Sequence, residues 1–144
     1  MIASRGERRL WAGLFVAGAM ATAALAPVYA GVPHGVPVKL SRQVSAIPAG
    51  AVVFDDYGMG SWLLWSARQI TPVIDGRIEL YDQKYVEDYA NALSVGPGWS
   101  DFLTHTGATC ALVVDKSPIS TALTDRLHWQ TLGRDVGYIL MQAP

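Results

Sequence analysis

Two short apolar runs, each ending in aspartate, constrain this chain more than any other feature. Val52-Val53-Phe54 runs into Asp55-Asp56, and Pro72-Val73-Ile74 runs into Asp75. A glycine-containing turn follows each run, and Trp62-Leu63-Leu64-Trp65 lies between them. Two β-type runs separated by a short apolar helical segment predict a small α/β unit. Such a unit presents acidic groups at the ends of its strands.

The pattern extends along the rest of the chain. Ile47-Pro48-Ala49-Gly50 reads as a turn that opens the folded domain, and residues 51–54 read as its first strand. Residues 58–68 read as a short helix, and residues 72–74 as a second strand with its proline in the first position. Asp82 is placed to cap a helix over 83–95, whose apolar members Tyr85, Val86, Tyr89 and Leu93 recur near the helical period. A second helix over 99–106 should close at Gly107. Thr109 to Val114 is continuously apolar, as expected of a strand covered on both faces. Ser117-Pro118 opens a helix to about residue 127. Residues 128–132 and 137–141 read as a closing pair of strands, with Arg134-Asp135 in the turn between them. The order β-α-β-α-α-β-α-β-β predicts a small three-layer α/β domain, with a mostly parallel sheet and an antiparallel edge.

Half of the residues are apolar (51%), and the excess lies at the N-terminus. No Asp, Glu, Lys or Arg occurs between Leu10 and Val38. The apolar stretch 10–30 is about the length that crosses a bilayer, roughly 20 residues. Arg5, Arg8 and Arg9 precede it, so the positive-inside rule keeps residues 1–9 cytoplasmic and exports the body. Val28-Tyr29-Ala30 would also suit signal-peptide cleavage, but the apolar run exceeds a usual signal core, which favours a retained transmembrane helix. Residues 31–48, with Gly31, Pro33, Gly35 and Pro37, then read as a linker to an extracytoplasmic α/β domain over 49–144.

From Lys39 onward the chain carries eight basic and eleven acidic residues, with no basic cluster. This argues against nucleic-acid binding, which needs a cationic face. Cys110 is the single cysteine, set in an apolar run, and reads as a buried strand residue. His34, His105 and His128 have no metal-ligand spacing, and neither a phosphate-binding nor a nucleophile motif is present.

The candidate ligand-binding residues are therefore Asp55, Asp56, Tyr57, Asp75, Arg77, Tyr81 and Asp115. Three predicted strands end in acid, and ligands of open α/β sheets sit beyond the carboxyl ends of the strands. Converging carboxylates could hold a cation or accept hydrogen bonds from sugar hydroxyls. The competing reading makes them turn and cap residues, with Arg77 locked in a bidentate pair to Asp55, Asp56 or Asp75. The aromatics Tyr57, Trp62, Trp65, Tyr81, Tyr85, Tyr89 and Trp99 serve core packing in the main, with sugar stacking or a lipid-facing surface as the alternatives. Tyr57 and Tyr81, next to the acidic turns, are the better ligand candidates.

The segments Phe54-Asp55-Asp56-Tyr57-Gly58-Met59-Gly60-Ser61-Trp62-Leu63-Leu64-Trp65 and Val73-Ile74-Asp75-Gly76-Arg77-Ile78-Glu79-Leu80-Tyr81, with Gly98-Trp99 and Asp115-Lys116-Ser117-Pro118-Ile119, carry a resemblance. They resemble the C-terminal extracytoplasmic domain of polytopic bacterial glycosyltransferase-like membrane proteins of the C-superfamily type, which use lipid-phosphate sugars. Met59 stands where those proteins have tryptophan, Ser61 where they have glycine, and Glu79 where they have aspartate. The resemblance implies catalytic acids in an early extracytoplasmic loop that this chain does not contain. It therefore implies a membrane-anchored accessory or substrate/partner-binding module without its own catalytic centre. The expected partners are the lipid bilayer and a polytopic membrane subunit or lipid-linked sugar. The alternatives are an exported cation-dependent hydrolase or transferase using the strand-end aspartates, and a secreted binding protein. The residues identify neither a catalytic group nor a cofactor.

Overall fold

The computed structural model describes residues 11, 13–23 and 35–144. It divides into two units, residues 1–34 and 35–144. In the first, residues 11 and 13–23 are helical (α1), and their apolar side chains, among them Trp11, Leu14, Phe15 and Met20, are exposed. Among the described residues no helix is long and apolar enough to cross a membrane. The expected span over 10–30 falls partly outside the described residues, and the expected cytoplasmic head over 1–9 wholly so.

The second unit is a mixed five-stranded sheet, ordered β2-β1-β3-β5-β4, with helices on both faces. Its strands are β1 (Val52–Asp55), β2 (Thr71–Pro72), β3 (Ala108–Val114), β4 (Gln130–Asp135) and β5 (Tyr138–Gln142). The helices are α2 (Ser41–Ser45), α3 (Gly60–Ser66), α4 (Gln83–Leu93), α5 (Trp99–Thr106) and α6 (Pro118–Asp125). Through the central strands side chains alternate between the faces, with irregularities opposite Val52–Val53 and at Thr131–Gly133. Val53, Cys110, Leu112 and Leu140 pack under α2 and α3, whereas Phe54, Ala111, Val113, Ile139 and Met141 pack under α4, α5 and α6. Cys110 is buried, as its apolar run implied. Asp82 caps α4 by accepting from the Tyr85 amide at 2.8 Å, and Gly107, with φ of 69°, closes α5.

Four expectations need correction. First, the sheet is half antiparallel rather than mostly parallel. β1 pairs in parallel with β2 and β3, whereas β5 pairs antiparallel with both β3 and β4. Second, β2 is shorter and earlier than read. The Val73 amide still reaches the Val53 carbonyl, but the Ile74 amide turns to the Asp55 carboxylate, and the ladder stops there. Third, the stretch expected to be linker contains a 3-10 turn (Val38–Leu40) and α2. Leu40, Val44 and Ile47, one helical face apart, are buried against the sheet. Each such side chain contributes about 1.5–3 kcal/mol, which a free linker would forgo. Fourth, the closing turn is Val136-Gly137, and Arg134 and Asp135 belong to β4. The Asp135 carboxylate accepts from the Lys39 amide at 3.0 Å, which ties it to the 3-10 turn and moves the loop two residues on.

Candidate functional site

The carboxyl ends of β1 and β2 lie side by side, and the acids there take different states. Asp55 is fully buried. Its Oδ1 accepts from the Ile74 amide at 3.2 Å, and its Oδ2 is enclosed without a partner. Burial pushes the carboxyl up to about 8; the Ile74 and Val73 amides oppose this, and the neighbouring Asp56 carboxylate adds to it. At neutral pH Asp55 is thus mainly a neutral acid. The unpartnered Oδ2 is the natural seat of its proton, because Oδ1 already accepts a hydrogen bond. The first residue of α3 seals this site. A Cβ at Gly60 would overlap the Ile74 carbonyl oxygen and lie 2.8 Å from Asp75 Cα and 2.9 Å from Asp55 Oδ2, so only glycine fits. From the opposite face, the Tyr89 hydroxyl donates to the Asp55 carbonyl at 2.9 Å.

Asp75 is nearly as buried but ionised. Arg77 grips it through Nε, at 3.2 and 3.1 Å from the two carboxylate oxygens, and through Nη2 at 2.5 Å from Oδ2. The Arg77 amide also donates to Oδ1 at 2.9 Å. This guanidinium holds the Asp75 carboxyl below its ordinary range, against the opposing effect of burial. Of the three partners the sequence left open for Arg77, the structure selects Asp75. Tyr81 lies beside this pair, its hydroxyl pushed up by burial and then by the Asp75 carboxylate. It stacks on Tyr85, with ring centroids 5.4 Å apart and planes inclined by 17°.

The structure thus gathers Asp55, Asp75, Arg77 and Tyr81 at one sheet end. Asp56 starts the next turn, where its Oδ1 accepts from the Gly58 amide at 3.2 Å, and Tyr57 is exposed in that turn. Asp115 does not join the cluster; it pairs with Arg134 of β4, with Nε 3.3 Å from Oδ1. Sequence reasoning missed the parts played by Gly60, Tyr85 and Tyr89. The Tyr85 hydroxyl donates to the Val73 carbonyl at 2.8 Å, so Tyr85 and Tyr89 clamp the ends of both strands from α4. Their four-residue spacing with Tyr81 was the available signal, but it reads equally as a core stripe.

The arrangement fixes loops better than it serves chemistry. A neutral acid next to an ionised one is the usual requirement for acid–base work. Here the acid is closed off beneath Gly60, and its ionised neighbour is neutralised by Arg77. Among the described residues no His, Cys, Asp and Glu cluster is arranged to hold a metal ion.

No family model and no curated protein matches this chain. Among solved structures it is similar to the C-terminal globular domain of the oligosaccharyltransferase AfAglB-S2 from Archaeoglobus fulgidus. The TM-score is 0.54 at 10% identity, covering 74% of this chain and 95% of that one. The chain therefore shares its mixed α/β fold with the C-terminal globular domain of an oligosaccharyltransferase.

Proposed function

We propose that this chain is the extracytoplasmic accessory domain of a glycosyltransferase-like membrane protein of the C-superfamily type, held at the membrane by its N-terminal apolar segment. It binds a substrate or a polytopic catalytic subunit and has no catalytic centre of its own. One coincidence carries the reading. The segments 54–65 and 73–81, which carry the motif resemblance, build the strand ends of a fold that is also found in an oligosaccharyltransferase's C-terminal domain. The state of the acids supports a non-catalytic role, because each is committed to holding a turn. The anchor is supported by the uncharged residues 10–38 and by the exposed apolar side chains of α1, which water solvates poorly. A cation-dependent hydrolase fits less well, since Asp55 is sealed and Asp115 stands apart with Arg134.

Carbonate-washed membranes, cross-linked and probed with an antibody against the folded domain, test this. The expected result is retention in the membrane pellet with either of two signatures. One is a band near 15.5 kDa that cross-links to a polytopic transferase; the other is a single larger band that contains one. Quantitative release by carbonate, with no cross-linked partner, would overturn the proposal.

A further inference from the structure

We infer that the groove running from the edge of β2 across α4 and α5 is a binding site for an uncharged saccharide chain. The inference rests on the accessory-domain reading and names what that domain binds. Two hollows meet at His105. One, of about 450 Å³, is lined by Thr71, Tyr81, Tyr85 and His105. The other, of about 410 Å³, is lined by Asp88, Asn91, Asp101 and the same His105. Each lies within the size range of small-ligand sites, and the shared His105 joins them into one trough.

The lining carries what a sugar needs. Pyranose rings present apolar C–H faces and a rim of hydroxyls, so they are held by aromatic platforms flanked by hydrogen-bonding groups. Tyr81 on Tyr85 forms a stacked pair, and Tyr85 in turn meets Phe102 of α5 at 5.3 Å. The platform is fixed before any ligand arrives. The Tyr85 hydroxyl is tied to the Val73 carbonyl, and Asn91 Nδ2 donates to the Pro97 carbonyl at 2.7 Å, which fastens the turn between α4 and α5. Such preorganisation removes part of the entropic cost of binding. The exposed His105 and Asp101 and the hydroxyl of Thr71 supply donors and acceptors along the rim. The Asp101 carboxylate in the lining repels phosphate, and Lys84 of α4 is already bridged to Asp88, which removes that lysine as an anion receptor. The trough therefore selects the glycan portion of a substrate and not its phosphate-bearing end.

The test is amide NMR of the full ¹⁵N-labelled chain in detergent micelles, titrated separately with chitotriose, maltotriose, mannotriose and inorganic pyrophosphate. At least one trisaccharide should give saturable shifts confined to Thr71, Tyr81, Tyr85, Asn91, Asp101 and His105. Tyr81→Ala and His105→Ala should each weaken that affinity about tenfold, whereas Tyr81→Phe, which keeps the ring, should retain it. Three results would overturn the inference: no shift in these residues with any trisaccharide while the spectrum stays dispersed, shifts on another face, or pyrophosphate binding in the trough. A chain that cross-links to its transferase but ignores all three sugars keeps the accessory role and loses the groove. One that binds sugar here but has no membrane partner keeps the groove and loses that role.

Discussion

Replacing Asp55 with asparagine should flatten one limb of the protein's pH–stability curve. The Asp55 carboxyl rises from 3.8 to about 8 on folding, with burial as the main cause. The folded state therefore holds a proton that the unfolded chain has released, over the interval between those values. Stability from this group is fully present below pH 3.8, falls as pH rises, and is gone above about 8. At about 1.4 kcal/mol per pH unit, the interval amounts to a loss on the order of 5 kcal/mol, comparable to the whole stability of a small domain. Asparagine keeps an oxygen for the Ile74 amide and places an uncharged amide group at the Oδ2 position, so nothing titrates there. Urea unfolding of wild type and Asp55→Asn between pH 5 and 9, followed by the fluorescence of the buried Trp62, Trp99 and Trp129, gives the difference curve. Other titrating groups cancel in that difference. Wild type should lose ground against the variant by about 1 kcal/mol or more per pH unit up to roughly pH 8, and the difference should then level off. Parallel curves would refute the argument, because they would mean that Asp55 ionises in the native state as freely as in the unfolded chain.

Three further outcomes are expected. Asp75→Asn should destabilise the protein at neutral pH, and its difference from wild type should shrink as pH falls below 3.8, the reverse of the Asp55 behaviour. The reason is that Arg77 holds the Asp75 carboxyl down, so its stabilisation is lost on acidification; chemical denaturation at pH 3 and pH 7 reads this. Gly60→Ala should cost about 3 kcal/mol or more by thermal unfolding, because the new methyl group overlaps the Ile74 carbonyl oxygen and meets Asp75 Cα and Asp55 Oδ2 inside van der Waals distance. Val136→Asn should raise stability by about 1 kcal/mol. Val136 is held at φ of 46°, which a β-branched residue resists and asparagine tolerates before the glycine of a two-residue hairpin turn.

The elements that the sequence disclosed well are those whose ends carry chemical punctuation. Asp82 and Ser117 cap their helices as read, Gly107 closes α5, and β3 appears as an unbroken apolar run because both faces are covered. The errors share a cause: a distant group took over a local signal. Asp55 captures the Ile74 amide and cuts β2 short, and Asp135 captures the Lys39 amide and shifts the last turn. Val136, a strand former by habit, is forced into a left-handed turn by the register of β4 and β5. The stripe Leu40, Val44, Ile47 was hidden by the glycines and prolines before it and the proline after it. For the site, Arg77 had three candidate acids, among which only the turn geometry selects Asp75; the possible convergence of Asp55 with Asp75 was legible from strand ends. The departure of Asp115 was not, because its partner Arg134 lies on a strand whose register only the fold defines.

On the proposed reading these acids brace the binding surface and do not themselves meet a ligand. A charged or polar group at a sheet end can meet substrate or brace the loops that do, and burial decides between the two. Asp55 accepts an amide from the neighbouring strand and gives its carbonyl to Tyr89, while Asp75 anchors the turn that leads to Tyr81. Of these, the Tyr89 bond runs from α4 to the sheet, and the other two hold the strand ends and the turn beside it. The rigidity they provide is delivered to the Tyr81–Tyr85 stack, and through Phe102 to α5. Loss of the Asp75–Arg77 pair should therefore loosen the tyrosine platform before it unfolds the sheet. In Arg77→Ala, hydrogen exchange should quicken at residues 76–85 while β3 and β5 keep their protection. Equal quickening in the central strands would show that the pair supports the core as a whole and not the surface it leads to.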